Sequence, residues 1–144
     1  MLGTLAKWLR ILGFDTYFVN SDINDDKIIE ISKKEKRILI SRDKELIQRA
    51  RKDKLKTIEL KTIDIDEQIN TVLNEVPFDK TKVLSRCILC NTLIKKIKKD
   101  EIEKKVPPKV FEKQNEFWFC SKCDKIYWKG SHYEKMIEKI IKLS

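Results

Sequence analysis

A chain of 144 residues with 41% hydrophobic content is long enough for one ordinary domain or two small ones, and no apolar run of roughly 18 residues is present to span a membrane as a helix. The formal charge of +9 is unevenly placed: residues 1–80 carry 16 Lys/Arg against 15 Asp/Glu, and residues 81–144 carry 16 against 8. A basic second half points to a polyanion, most simply nucleic acid, with a merely solvated lysine-rich surface as the plainer alternative.

Leu2, Leu5, Leu9 and Leu12 recur at helical spacing with Ala6 and Trp8 beside them, and Gly13 offers a left-handed stop, so the chain is expected to open with a helix packed by its leucines. Residues 16–19 (TYFV) read as a short buried strand. Asn24 or Asp25 caps a second helix that packs through Ile28, Ile29 and Ile31. Residues 37–41 (RILIS) form a continuous apolar strand, Asp43 opens a third helix (KELIQRARK), and residues 55–60 give another strand. Asp64 and Glu67 then make the D-x-x-E start of a fourth helix through Ile69, Val72 and Leu73. Helices and strands in alternation predict an α/β fold, a parallel sheet covered on both faces. The expected division is an α/β domain over residues 1–76, a linker over 77–84 built on Pro77 and DKTK, and a second domain over 85–144.

The second domain holds all four cysteines, as two pairs, Cys87-Ile88-Leu89-Cys90 and Cys120-Ser121-Lys122-Cys123. Each C-x-x-C turn can aim two thiolates at one ion, and two turns complete the closed tetrahedral sulfur shell of structural zinc. A closed shell has no position for water or substrate, so the zinc is structural. Two disulfides would need an oxidising compartment. The N-terminal residues MLGTLAKWLRILGF carry Lys7 and Arg10 inside their apolar run, unlike a signal peptide, and a cytoplasmic location is expected. Pro107-Pro108 breaks the stretch between the pairs, while EFWF and IYW lead into and out of the second one. After Gly130, Ser131 and Glu134 form an S-x-x-E start for a last helix packed by Met136, Ile137, Ile140 and Ile141.

Two strand ends run into acids: Asp22, Asp25 and Asp26 after TYFV, and Asp43 after RILIS. In open parallel α/β sheets ligands gather beyond the carboxyl ends of strands. Converging carboxylates there can hold Mg2+ or Mn2+, which activates water and neutralises charge on a phosphodiester. The ordinary explanation is that Asp25 and Asp43 cap helices. Tyr127 and Trp128 read equally as stacking platforms for bases and as the thin core of a zinc module. His132, the one histidine, reads as a surface group or a phosphate contact.

Several segments taken together carry a family likeness: LGTLAKWLRILGFDT, NDDKIIEIS, RILISRD, RCILCNTLI and VPPKVFEKQNEFWFCSKCDKIYWKGSHYEKM. From Met1 to about Met136 the chain resembles the Mut-seven C-terminal ribonuclease domain family. The resemblance implies a PIN-like nuclease fold over the first domain, a zinc ribbon with a C-terminal helix over the second, and RNA cleavage by acid-held divalent metal. By position, Asp25 is the acid before the second helix and Asp43 the acid after the strand, in Ser41-Arg42-Asp43, with Asp22 nearby as a helper. The zinc ligands carry over to Cys87, Cys90, Cys120 and Cys123, and RNA contacts are expected from Arg42, Tyr127, Trp128 and His132. Family members place an acid-bearing strand before the first helix. That strand is expected to be missing from this chain, and a start assigned too late is the favoured explanation over truncation or lost catalysis. The expected function is a Mg- or Mn-dependent ribonuclease with a structural zinc. The alternative is a catalytically degenerate zinc-ribbon protein that binds RNA, the ribosome or another ribonucleoprotein.

Overall fold

The leucine stripe forms the helix its spacing predicts. In the computed structural model, which describes residues 2–19 and 22–143, α1 runs Leu2–Ile11 with Leu5 and Leu9 buried, and Leu12 is buried in the turn that follows. The side chains of residues 132 and 140–143 fall outside that description. Two compact units divide the chain, Met1–Ala6 with Tyr17–Phe78 and Lys7–Thr16 with Asp79–Ser144, so α1 contributes its opening turn to the first and its remainder to the second.

The first unit is built from α2 (Asp25–Lys34), β1 (Leu39–Ser41), α3 (Lys44–Lys52), β2 (Thr57–Glu59) and α4 (Ile65–Glu75). β1 and β2 pair in parallel, Leu39 with Thr57 through Ser41 with Glu59, and α3 supplies the crossover that a parallel pair requires. Ile29, Leu39, Leu46, Ile47 and Ala50 form the buried cluster, with Ile28 and Leu55 packed on its margin. Each helix starts on a side chain that satisfies an otherwise unpaired amide. Asn24 accepts from Lys27 N at 2.9 Å, Asp43 from Glu45 N at 3.0 Å, and Asp64 from Glu67 N at 3.1 Å.

The expected TYFV strand does not form. Residues 14–19 lie outside any ladder, with Tyr17 46% and Phe18 44% exposed. Side chains take up the backbone groups a strand would have needed: Asn91 Oδ1 accepts from Thr16 N at 2.9 Å, and Arg10 Nε donates to Thr16 O at 3.1 Å. Tyr17 instead lies under Arg37, 5.7 Å from guanidinium carbon to ring centroid. The parallel sheet therefore has two strands among the described residues.

The second unit centres on an antiparallel sheet, β3 (Lys95–Ile97), β4 (Phe117–Cys120) and β5 (Lys125–Tyr127), in the order β3-β4-β5. Strand alternation gives it two differently occupied faces. Trp118, Cys120 and Tyr127 pack with Cys87, Ile88 and Ile94 on one. Ile97, Phe117 and Ile126 pack with Ile102, Val106 and α5 (Pro108–Lys113) on the other. Residues 79–84 include a 3-10 turn and end in buried Val83 and Leu84, whose amide bonds Ile11 O at 2.8 Å. The last helix, α6, spans Ser131–Leu143. Its first bond runs from Glu134 N to Gly130 O at 3.1 Å, so Gly130 rather than Ser131 stands at the cap. The described residues form a mixed α/β chain with one parallel and one antiparallel sheet.

Candidate metal centre and acidic helix starts

The two C-x-x-C turns fold alike. In each, the residue after the second cysteine takes the left-handed conformation, Asn91 at φ 69° and Asp124 at φ 53°, which Asn and Asp tolerate better than most side chains. The first turn is closed by Asn91 N to Cys87 O at 2.9 Å and Cys87 N to Thr92 O at 2.8 Å. In the second, Cys123 N points at Cys120 Sγ, 3.4 Å away. The sulfurs of Cys87, Cys90, Cys120 and Cys123 all lie within 4.8 Å of one another. A tetrahedron with Zn–S of ~2.3 Å has edges of about 3.8 Å, so the donor set and its spacing fit one zinc ion. Cys87 and Cys120 are buried, and Cys90 and Cys123 are half-buried.

The thiols compete for protons. Burial works against ionising Cys90, yet the Thr92 hydroxyl and amide hold its thiol down at about 6. Hydrogen bonding to Cys90, then burial, pushes Cys123 up to about 12. A dication replaces this unequal sharing with four equivalent thiolates.

Several residues that support the centre carry no metal-site signature in the sequence. The Tyr127 hydroxyl sits 3.0 Å from Cys87 Sγ and accepts from Ile88 N at 3.1 Å, and burial followed by the Cys87 contact raises its pKa. Arg10 on α1 donates through Nη1 to the carbonyls of Ile88 at 2.8 Å and Leu89 at 3.3 Å, clamping the first turn from outside. Asn91 reaches Asp15 through Nδ2 at 2.7 Å.

The acids occupy helix starts in the first unit. Asp43 spends Oδ1 on the amides of Glu45 and Leu46, and its own amide donates to the buried Ser41 hydroxyl at 3.0 Å. Its carboxylate is exposed. Asp25, half-buried in the first turn of α2, lies 3.7 Å from Arg49 Nη1, while Asp26 pairs with Arg49 Nη2. Arg49, on α3, was not singled out by the sequence, where it is one cation in a basic run. Asp22 is exposed in the turn before α2. Among the described residues the four cysteines are the group in which three or more His, Cys, Asp or Glu side chains converge, and Asp22, Asp25 and Asp43 add no second one.

Of the expected RNA contacts, Arg42 is exposed, Tyr127 is buried and Trp128 is half-buried. The side chain of His132 lies outside the described residues. No helix is long and apolar enough to cross a membrane, among the described residues.

The sequence model of a family described as the Mut7-C RNAse domain matches residues 1–140. No curated protein and no solved structure matches the chain.

Proposed function

The chain belongs to the Mut7-C RNAse domain family, and from that premise we propose that it is a ribonuclease that hydrolyses RNA phosphodiester bonds with a divalent metal held by Asp25 and Asp43, with Asp22 nearby. The family match over nearly the whole length is the observation that carries this reading. The first unit would be the PIN-like nuclease domain and the second a zinc ribbon that grips RNA.

Mg2+ is commonly held by one or two carboxylates with substrate phosphates completing the shell, so a site built on Asp25 and Asp43 needs no third acid. Asp43 suits the task because one oxygen anchors α3 while the second has no hydrogen-bond partner among the described residues. Arg49 offsets the charge of Asp25 and Asp26, which lets a carboxylate sit half-buried before a cation arrives. A bound Mg2+ or Mn2+ would supply a hydroxide at neutral pH and counter the charge growing on the phosphate. Exposed Arg42, next to Asp43 in the chain, would meet a phosphate. Trp128 and His132 would serve as contacts in the second unit, whereas Tyr127 is buried beside Cys87. Four unpaired thiols suit a reducing compartment such as cytoplasm.

Asp43→Asn tests the assignment cleanly, because Asn caps a helix about as well as Asp but lacks the anionic charge. RNA cleavage in Mg2+ or Mn2+ should fall on the order of 100-fold or more, with zinc content and unfolding midpoint unchanged. Cleavage at the wild-type rate removes Asp43 from the site. One observation favours the degenerate alternative: three acids do not converge among the described residues. That reading expects salt-sensitive RNA binding with no turnover even in Mn2+.

A further inference from the structure

We infer that the groove beside the second cysteine turn holds one nucleotide of single-stranded RNA, its base against the Trp128 indole and its two flanking phosphates met by the ammoniums of Lys105 and Lys125, one each. The inference rests on RNA being the partner and gives it a specific seat in the second unit. The groove is open to solvent and is lined by Lys105, Cys123, Asp124, Lys125, Ile126 and Trp128.

Its apolar floor comes from the sheet face opposite the cysteines, where Ile126 and Trp128 share a cluster. Trp128 meets Phe117 edge to face, with centroids 6.3 Å apart and planes at 63°. Whichever ring presents its edge, at least one indole face stays outside that contact. An aromatic face of this kind stacks any base that is free of its own stack, and a duplex does not offer one.

The two lysines supply the charge. Lys105 Nζ and Lys125 Nζ each stand 5.7 Å from a ring centroid, of Phe119 and Tyr127 respectively. Neither joins an ion pair among the described residues, so both ammoniums are available to an anion. Asp124 is the one opposing charge in the lining, against two cations. A rival duty exists for the lysines: zinc with four thiolates carries a net negative charge that nearby cations offset.

The test uses the zinc-loaded full chain, a short fluorescent oligouridylate without added divalent metal, and anisotropy at several salt concentrations. Trp128→Ala should weaken binding about 5- to 100-fold without changing the salt slope, and Trp128→Phe should fall between it and wild type. Lys105→Gln with Lys125→Gln should reduce the log–log salt slope by about 1.4. Inorganic polyphosphate, which has charge but no bases, should bind Trp128→Ala as it binds wild type. Wild-type oligouridylate affinity in both Trp128 variants overturns the inference, as does equal affinity for a duplex of the same length. A double lysine variant that loses zinc but keeps its RNA affinity and slope assigns the lysines to the metal and overturns it too. Should Trp128→Ala lose zinc, the Phe and lysine variants decide. Groove variants that bind normally in a protein whose cleavage depends on Asp43 remove the groove alone. Groove behaviour as expected in a protein that never cleaves removes the nuclease reading alone.

Discussion

The two units solve the same problem with different materials. In the first, a cluster of Ile29, Leu39, Leu46, Ile47 and Ala50 binds two helices to a parallel pair of three-residue strands, and apolar burial suffices. In the second, a sheet of similar strand length has an apolar cap of Ile102, Val106 and Phe117 on one face, but on the other Trp118 and Tyr127 surround four sulfurs. Thiols that exchange protons are a poor core by themselves. The contrast teaches that the second unit has four sulfurs that could hold a metal ion such as zinc inside its core, whereas the first is held by the fit of apolar side chains.

Removing zinc should break the symmetry most. Structural zinc contributes roughly 10–16 kcal/mol in small modules, so chelation should abolish amide protection in β3–β5 while α2–α4 keep theirs. Hydrogen exchange reads both units at once, and undiminished protection in β4 and β5 would refute the dependence. Next in size, Ile47→Ala, at a side chain with 0% exposure, should cost the first unit about 2–5 kcal/mol in urea while zinc stoichiometry stays at one.

Gly13→Ala sharpens the comparison from the other side. Gly13 holds φ +94°, and a Cβ there would collide with the Lys82 backbone, so a loss of about 1–3 kcal/mol is expected in the second unit. A neutral effect on its unfolding midpoint would mean the turn relaxes freely. Smallest is Tyr127→Phe, which removes the hydroxyl between Cys87 and Ile88 at about 1 kcal/mol. Because burial, the largest cause, raises the phenol above its ordinary 10.0 whether or not a metal is bound, its contribution is complete below that pH and is lost as pH rises toward the folded value. Urea midpoints of zinc-loaded wild type should therefore fall more steeply above pH 10 than those of Tyr127→Phe, and parallel profiles would discard the linkage.

Much of the local structure was legible. Asn24, Asp43 and Asp64 cap the helices as their positions suggested, because a cap is settled within three residues of chain. Two other helix ends were not legible: α2 and α3 both turn through lysines in the left-handed region, Lys36 at φ 53° and Lys54 at φ 63°, where glycine is the usual signal. TYFV misled for the opposite reason. Its β-propensity is real, but Asn91 and Arg10, far away in sequence, claim the backbone at Thr16.

By itself, the order of residues determined the helix starts at Asn24, Asp43 and Asp64 and the two C-x-x-C pairs, since each depends on neighbours a few positions apart. Only the tertiary structure decided that Tyr127 would serve Cys87 from within the core, that Arg49 would face Asp25 and Asp26, and that Lys105 and Lys125 would line one groove with Trp128. Tyr127 and Cys87, Arg49 and the two acids, and Lys105 and Trp128 lie far apart along the chain, and their meeting depends on how whole elements pack, which no local pattern encodes.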